Sequence, residues 1–225
     1  MTDERVWKDQ DLSGRSFAGD DLSGLQFLRC RIVAASFRGA DLSGASFENC
    51  VGFDAEVETC IDFSYANLRE ASFAHCDLTA AEFANISGYE LTFEHCQLGG
   101  VSLAGADFRL PIGDVSELTA FTMRHCNFAY GDLSNVYLRG CTLTDNRMIE
   151  MQLHNASLEE VTLNGSDLSN VTGTALSMKG ADLRGAIFNN LDPRNIDLEG
   201  VRITLEQSLQ LLEPLGVIVT LDDRD

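Results

Sequence analysis

The chain has 225 residues, 35 of them acidic and 16 basic, for a formal net charge of −19. That balance repels both the phosphate backbone and anionic lipid, so nucleic acid and membranes are set aside as partners, and basic surfaces, including those that normally hold DNA, are favoured. The apolar content of 44% fits a folded chain, and no apolar run approaches the roughly 18–20 residues of a membrane span.

The first segment, Met1-Thr-Asp-Glu-Arg-Val-Trp7, has no basic stretch followed by an apolar one. The expectation is a protein without a secretory signal, resident in the cytoplasm. A repeat then takes over. Every fifth residue from Leu12 is large and apolar: Leu12, Phe17, Leu22, Phe27, Ile32, Phe37, Leu42 and Phe47. The register slips by one and resumes at Phe63, running in fives to Ile203, with Gly88, Gly113, Gly173 and Pro193 as the exceptions. Of these 37 positions, 33 are Leu, Phe, Met or Ile, types that make up only about a quarter of the chain. Two residues before about half of these centres stands a small or medium apolar residue, as at Ala35, Ala66, Cys76 and Ala181. The residue just before the centre is polar, as at Asp21, Asp41, Asn67 and Asp182.

A period of five fits neither a helix nor a long strand. On a helix the centres would spread around the surface, and on a strand they would alternate faces. The chain must turn a corner every five residues, so that four sides make a coil of about 20 residues and coils stack through backbone hydrogen bonds at about 4.8 Å.

Two interruptions break the repeat. Phe53–Cys60 lacks the pattern and predicts a bulge; Phe53, Asp54, Glu56 and Glu58 are its candidate contact residues. Arg109–Ala120 contains Pro111 and Gly113 and predicts a longer loop; its candidates are Arg109, Leu110, Pro111, Ile112, Asp114, Glu117 and Leu118. Loops on an otherwise uniform rod are natural carriers of specificity. The period changes again at the C-terminus. Thr204-Leu-Glu-Gln207 reads as a capping box. Leu205, Leu209, Leu211 and Leu212 form an apolar stripe, Pro214 limits the helix to about three turns, and Leu215, Val217, Ile218 and Val219 make an apolar tail. The expected units are 1–203 for the coil and 204–225 for the helix and tail. The stripe can cap the open end of the coil or pair with a second chain; dimerisation through Leu205, Leu209, Leu212, Leu215, Val217, Ile218 and Val219 is the favoured reading.

Little in the chain suggests catalysis. There is no Gly-rich phosphate loop, no Gly-x-Ser-x-Gly elbow, and no paired-carboxylate signal beyond what stacking of the repeat produces. The protein is read as a non-enzyme without cofactor or metal. Cys30, Cys50, Cys76, Cys96, Cys126 and Cys141 hold the small apolar position and read as packing residues, reduced in a cytoplasmic compartment. In the His-Cys pairs at 75–76, 95–96 and 125–126, neighbouring side chains point opposite ways, which does not make a zinc site. Acidic residues recurring at coil spacing, Asp21, Asp41, Asp62, Asp77 and Glu82, are expected to line an acidic face.

The units Ala-Asp-Leu-Ser-Gly (40–44), Ala-Asn-Leu-Arg-Glu (66–70) and Ala-Asp-Leu-Arg-Gly (181–185) resemble the pentapeptide-repeat proteins, from about Asp11 to Ile203. The resemblance implies an all-β fold, a right-handed quadrilateral β-helix. The early loop, the second loop of about twelve residues and the helix ending in Leu-Gly-Val-Ile-Val219 are similar to the Qnr quinolone-resistance proteins. That resemblance implies a rod-shaped homodimer joined at its C-terminal ends. It also implies a DNA-mimicking binder of DNA gyrase and topoisomerase IV that protects both from fluoroquinolones, with the larger loop the more important. The alternatives are an immunity factor against a gyrase-directed toxin and a scaffolding repeat protein with another partner.

Overall fold

The computed structural model describes residues 5–220 apart from 58, 114, 115 and 190. The chain forms a four-sided parallel β-helix. One side carries a seven-stranded parallel sheet of β1 (Val6–Lys8), β2 (Gln26–Leu28), β3 (Ser46–Glu48), β4 (Ser72–Ala74), β5 (Leu91–Glu94), β8 (Phe121–Arg124) and β9 (Thr142–Thr144). The hairpin strands β6 (Arg109–Ile112) and β7 (Ser116–Thr119) stand apart from it. We call this side face 1 and number the others in chain order. Faces 2, 3 and 4 are columns of single parallel pairings: Asp11 with Arg31, Ser16 with Ser36, and Asp21 with Asp41 begin them.

Each unit places its centre and the residue two before it on the same side of a short extended segment, so both point inward while the residue between them faces out. The corner follows. Two residues after the centre, φ is positive: +68° at Gly14, +55° at Ala34, +62° at Tyr65. At most corners the centre carbonyl accepts a bond from the amide three residues on, as from Arg15 to Leu12 (3.1 Å) and Ala40 to Phe37 (3.0 Å). A turn of that kind requires a left-handed third residue. The aspartate before a centre steadies the same corner: Asp41 Oδ1 accepts from the Ser43 amide (3.0 Å) and Asp62 Oδ1 from the Ser64 amide (2.8 Å).

Neighbouring rungs are 20 residues apart, as in Phe27 beside Phe47. The spacing is 26 across the first interruption (Phe47 beside Phe73) and 30 across the second (Phe93 beside Met123). The insertions therefore add six and ten residues to otherwise regular coils.

The core is a double column of phenylalanines. Rings on one face stack, with Phe27 on Phe47 at 4.2 Å and Phe37 on Phe63 at 5.0 Å. Rings from faces 1 and 3 meet edge to face, Phe27 against Phe37 at 89°. Each such ring is worth about 1.5–3 kcal/mol on burial. Beyond Phe128 the centres are mostly Leu and Met, until Phe188. Two of the exceptions have a steric reason. A Cβ at Gly88 would lie 3.0 Å from the Phe108 ring, and one at Gly173 would lie 3.0 Å from the Leu153 carbonyl oxygen. At the N-terminal end Trp7 leaves the stacked orientation and turns edge-on to Phe27 (83°) while leaning on Phe17, covering the end of the column.

One corner departs from this scheme and corrects the reading of the cysteines. Between faces 1 and 2 no turn bond joins the third residue to the centre in the rungs from Trp7 to Leu143, leaving a carbonyl and an amide open in each; at Leu163 and Leu183 the bond returns, from the Ser166 amide (3.1 Å) and the Ala186 amide (2.9 Å). The side chain in the small position of the next rung bridges the open groups. Cys76 Sγ donates to the Phe47 carbonyl (3.4 Å) and accepts from the Cys50 amide (3.4 Å). Asn146 does the same for the Met123 carbonyl and the Cys126 amide, and Ser166 for the Leu143 carbonyl and the Asn146 amide. Cys30, Cys50 and Cys96 donate likewise to Trp7, Phe27 and Phe73. These thiols are hydrogen-bonding bridges as well as packing residues. Cys141 sits outside the column, on face 1, where burial pushes its thiol up to about 12.

The C-terminal helix α1 (Leu205–Leu212) begins at the capping box expected from sequence. The Thr204 hydroxyl accepts from the Gln207 amide and Gln207 Oε1 accepts from the Thr204 amide. It is shorter than expected, because the turn holding Pro214 is a separate 3₁₀ segment, Glu213–Leu215. Among the described residues no helix is long and apolar enough to cross a membrane.

Candidate functional site

The features that distinguish this rod are its two insertions and its C-terminal end. The first insertion leaves the rod after Gly52, a centre without a side chain, at the corner between faces 2 and 3. Asp54 anchors it. Its Oδ1 accepts from the Glu56 amide (3.0 Å), its carbonyl accepts from the Val57 amide (3.0 Å), and its Oδ2 pairs with Arg31 one rung below. The Glu56 amide first and the Arg31 guanidinium second hold the Asp54 carboxyl below its ordinary value. This small turn leaves Phe53, Val57 and Cys60 exposed, while Glu58 lies outside the described residues.

The second insertion, expected as an irregular loop, is an antiparallel hairpin. Strands β6 and β7 pair Arg109 with Thr119, Leu110 with Leu118, Pro111 with Glu117, and Ile112 with Ser116. Arg109 braces the base, with Nε 2.8 Å from Asp107 and a terminal nitrogen 3.6 Å from Glu117. The Ala120 amide closes it on the Phe108 carbonyl (3.1 Å). Ile112 and Leu118 are exposed at 48% each, and Asp114 lies outside the described residues. The alternation of Leu110, Ile112, Ser116 and Leu118 around a Gly113-containing turn is a hairpin signal, masked in the sequence by Pro111, which an isolated edge strand tolerates.

This hairpin projects from the corner between faces 4 and 1. On a four-sided coil that corner is diagonal to the one bearing the first insertion, and two rungs, about 10 Å, further along the axis. The stack therefore keeps the two groups of candidate residues apart.

The expected acidic face is also divided. Asp21 and Asp41 are neighbours on face 4, Asp62 and Glu82 on face 3, and Asp77 stands on face 2 between Val51 and Gln97. The reason is the register: alignment requires a spacing of one coil, 20 or 26 residues here, and Asp41 to Asp62 is 21. Asp21 additionally accepts from the Ser23 amide (3.1 Å), and that residue's hydrogen bonds hold its carboxyl below the ordinary value.

At the C-terminal end the face of α1 that docks on the rod is not the leucine stripe as read from sequence. Gln207 is buried, and its Nε2 donates to the Leu183 and Ala186 carbonyls (2.7 Å each), tying the helix to a corner whose own turn bond, from the Ala186 amide to the Leu183 carbonyl (2.9 Å), is already made. Leu211 packs against the core and Leu212 is half-buried. Leu205 is 85% exposed and Ile218 88%, with Leu209, Leu215, Val217 and Val219 exposed beside them. The helix thus caps its own coil and still presents apolar side chains outward. Among the described residues no group of three or more His, Cys, Asp or Glu side chains is arranged to hold a metal ion.

Comparison with known proteins agrees with this architecture. The family model for pentapeptide repeats matches eight copies over residues 11–56, 59–86 and 152–190. Its gaps fall at the first insertion and across the segment that holds the hairpin. The pentapeptide repeat protein QnrB4 of Escherichia coli is 33% identical over 108 residues, 48% of this chain and 50% of that protein, so the match spans half of the relative's length. The solved structure of full-length QnrB1, described as a plasmid-mediated fluoroquinolone resistance protein, is 30% identical with a TM-score of 0.88, covering 94% of this chain and 100% of that one. A trypsin-treated variant of QnrB1 has a TM-score of 0.85 at 30% identity, covering 96% of this chain and 100% of that one.

Proposed function

Because this chain belongs to the pentapeptide-repeat family and shares the build of QnrB1 along nearly its whole length, we propose that it is a DNA-mimicking binder of bacterial type II topoisomerases. In this reading it acts in the cytoplasm on DNA gyrase and topoisomerase IV and protects both from fluoroquinolones. The observation that carries the proposal is the TM-score of 0.88 to a fluoroquinolone resistance protein over 94% of the chain.

The physical basis is shape and charge. Nine rungs at about 4.8 Å make a rod of about 40 Å, and a dimer joined at the C-terminal ends is about twice as long. B-DNA carries one negative charge per roughly 1.7 Å of axis. A chain of net charge −19 on such a rod suits a basic surface shaped for a duplex. The apolar residues left outward by α1 and the tail supply the dimer contact, and the insertions supply discrimination between surfaces. The protein works by occupancy, without covalent chemistry.

The test is a gyrase supercoiling assay with ciprofloxacin, with and without the purified protein. The expected result is recovered supercoiling in its presence. No recovery, together with no gyrase binding at low salt, overturns the proposal.

A further inference from the structure

The same corner whose interior is bridged by thiols carries three histidines on its exterior. His75, His95 and His125 each stand two residues after a face 1 centre, at φ of +54°, +53° and +52°. Histidine is among the few non-glycine residues enriched in that region. Fixed backbone geometry repeated on successive rungs makes their Cα–Cβ vectors parallel, and the rings form a ladder. His75 and His95 lie 5.0 Å apart and 2° from parallel; His95 and His125 lie 4.8 Å apart and 11° from parallel. All three are exposed. Among the described residues none of these rings has a hydrogen-bond or ion-pair partner, so their ring nitrogens face solvent.

We propose that this ladder binds one borderline divalent cation of the Zn(II) type between two adjacent imidazoles, with water completing the coordination. Read along the chain, the neighbour that all three histidines have in common is a buried cysteine, whose inward thiol cannot share an ion with an outward ring. Read along the rod axis, each histidine has another imidazole one rung away. Zn–N bonds of about 2.0–2.1 Å put two nitrogens of a tetrahedral site about 3.3 Å apart. Rings 4.8–5.0 Å apart reach that span by tilting their nitrogen ends toward each other, a motion open to exposed side chains. Two protein ligands make an open, exchangeable site rather than a closed structural one. The ladder holds two overlapping pairs that share His95, so it takes one ion. Glu94 precedes His95 and Arg124 precedes His125, so the local charge favours the His75–His95 pair. This inference rests on the ladder alone and is independent of the topoisomerase reading.

The experiment is isothermal titration of Zn(II) into the full chain, free of any histidine tag and carrying Cys60→Ser so that the exposed thiol does not compete. His→Asn is the substitution used, because Asn tolerates positive φ, and circular dichroism verifies each fold. The expected result is one ion per chain, lost at least tenfold in affinity in His95→Asn. His75→Asn weakens binding, His125→Asn weakens it less, and His154→Asn, on another face, leaves it unchanged. Affinity in His95→Asn within twofold of the parent, equal losses from all four variants, or no binding at millimolar Zn(II) each overturn the proposal.

Discussion

Cys76 stands between two backbone groups, the Phe47 carbonyl and the Cys50 amide, that most corners on the other three edges satisfy within their own turn. Leaving such groups unpaired in a core costs about 1–3 kcal/mol. Cys76→Ala should therefore destabilise by about that amount, and Cys76→Val, similar in shape but without a donor, by at least as much. Cys76→Ser should be tolerated better, because Ser166 already serves the same column. Urea denaturation of the three variants measures the order, and Ser ranking below Val would contradict the bridge. Carboxylates give a second residue-scale expectation. The Arg184 guanidinium first, with the Arg184 amide and Asn164, holds Asp182 down at about 2. A depressed folded value stabilises the protein above the ordinary carboxylate range and ceases to as pH falls from about 4 toward 2. The thermal midpoint followed by circular dichroism should fall through that window, and Asp182→Asn should flatten the fall while lowering the midpoint at pH 7.

For the elements, rung spacing dictates which deletions are clean. Removing Leu110–Thr119 returns the spacing from 30 to 20 and leaves Ala120 at the corner. Removing all of Arg109–Ala120 leaves only Phe121 and Thr122 between the Phe108 and Met123 centres and breaks the register. The ten-residue deletion should keep the β-helix by circular dichroism and abolish protection of gyrase; retained protection would reduce the hairpin to a tolerated insertion. For the first insertion the matching deletion is Asp54–Thr59, six residues, with a smaller expected loss. This is also the scale at which the sequence speaks unevenly. Outside the hairpin, where Gly113 and Leu118 keep the count but leave the coil, the centres from Leu12 to Ile203 name the inward side of the units, because a period of five admits only one inward geometry. The capping box at Thr204 and Gln207 is equally local, and so is legible. The thiol bridges are not, since they depend on which of four corners lacks its turn bond; Asn146 and Ser166, polar residues in a small apolar position, were the available signal. The inward face of α1 escaped for a different reason: Gln207 binds the Leu183 and Ala186 carbonyls, 24 and 21 residues earlier, a contact that no local pattern marks.

At the scale of the whole molecule, the diagonal placement of the insertions limits how a partner can engage both. One flat surface reaches a single corner, so a protein touching Phe53 and Ile112 together must wrap around two faces, as a groove does and a plane does not. The assembly follows from the other end. Ile218→Asp or Leu209→Asp puts a charge among the outward apolar side chains without touching Gln207, which caps the coil. Light scattering should report a dimer for the parent at micromolar concentration and a folded monomer for either variant. A monomeric parent would leave the apolar tail without its proposed role.

Trp7 is the only tryptophan in the chain, and it lies at the end of the rod opposite α1. Its emission is therefore an optical label on one terminus, installed without modification. In a solenoid each coil touches only its neighbours, so the two ends can come apart at different denaturant concentrations. The coils next to Trp7 enclose the stacked phenylalanines, whereas those next to α1 enclose mostly leucine and methionine. Unravelling should begin at the helix, so that in a urea titration the red shift of the indole trails the loss of the circular dichroism signal. Coincident curves would mean instead that nine rungs melt as one.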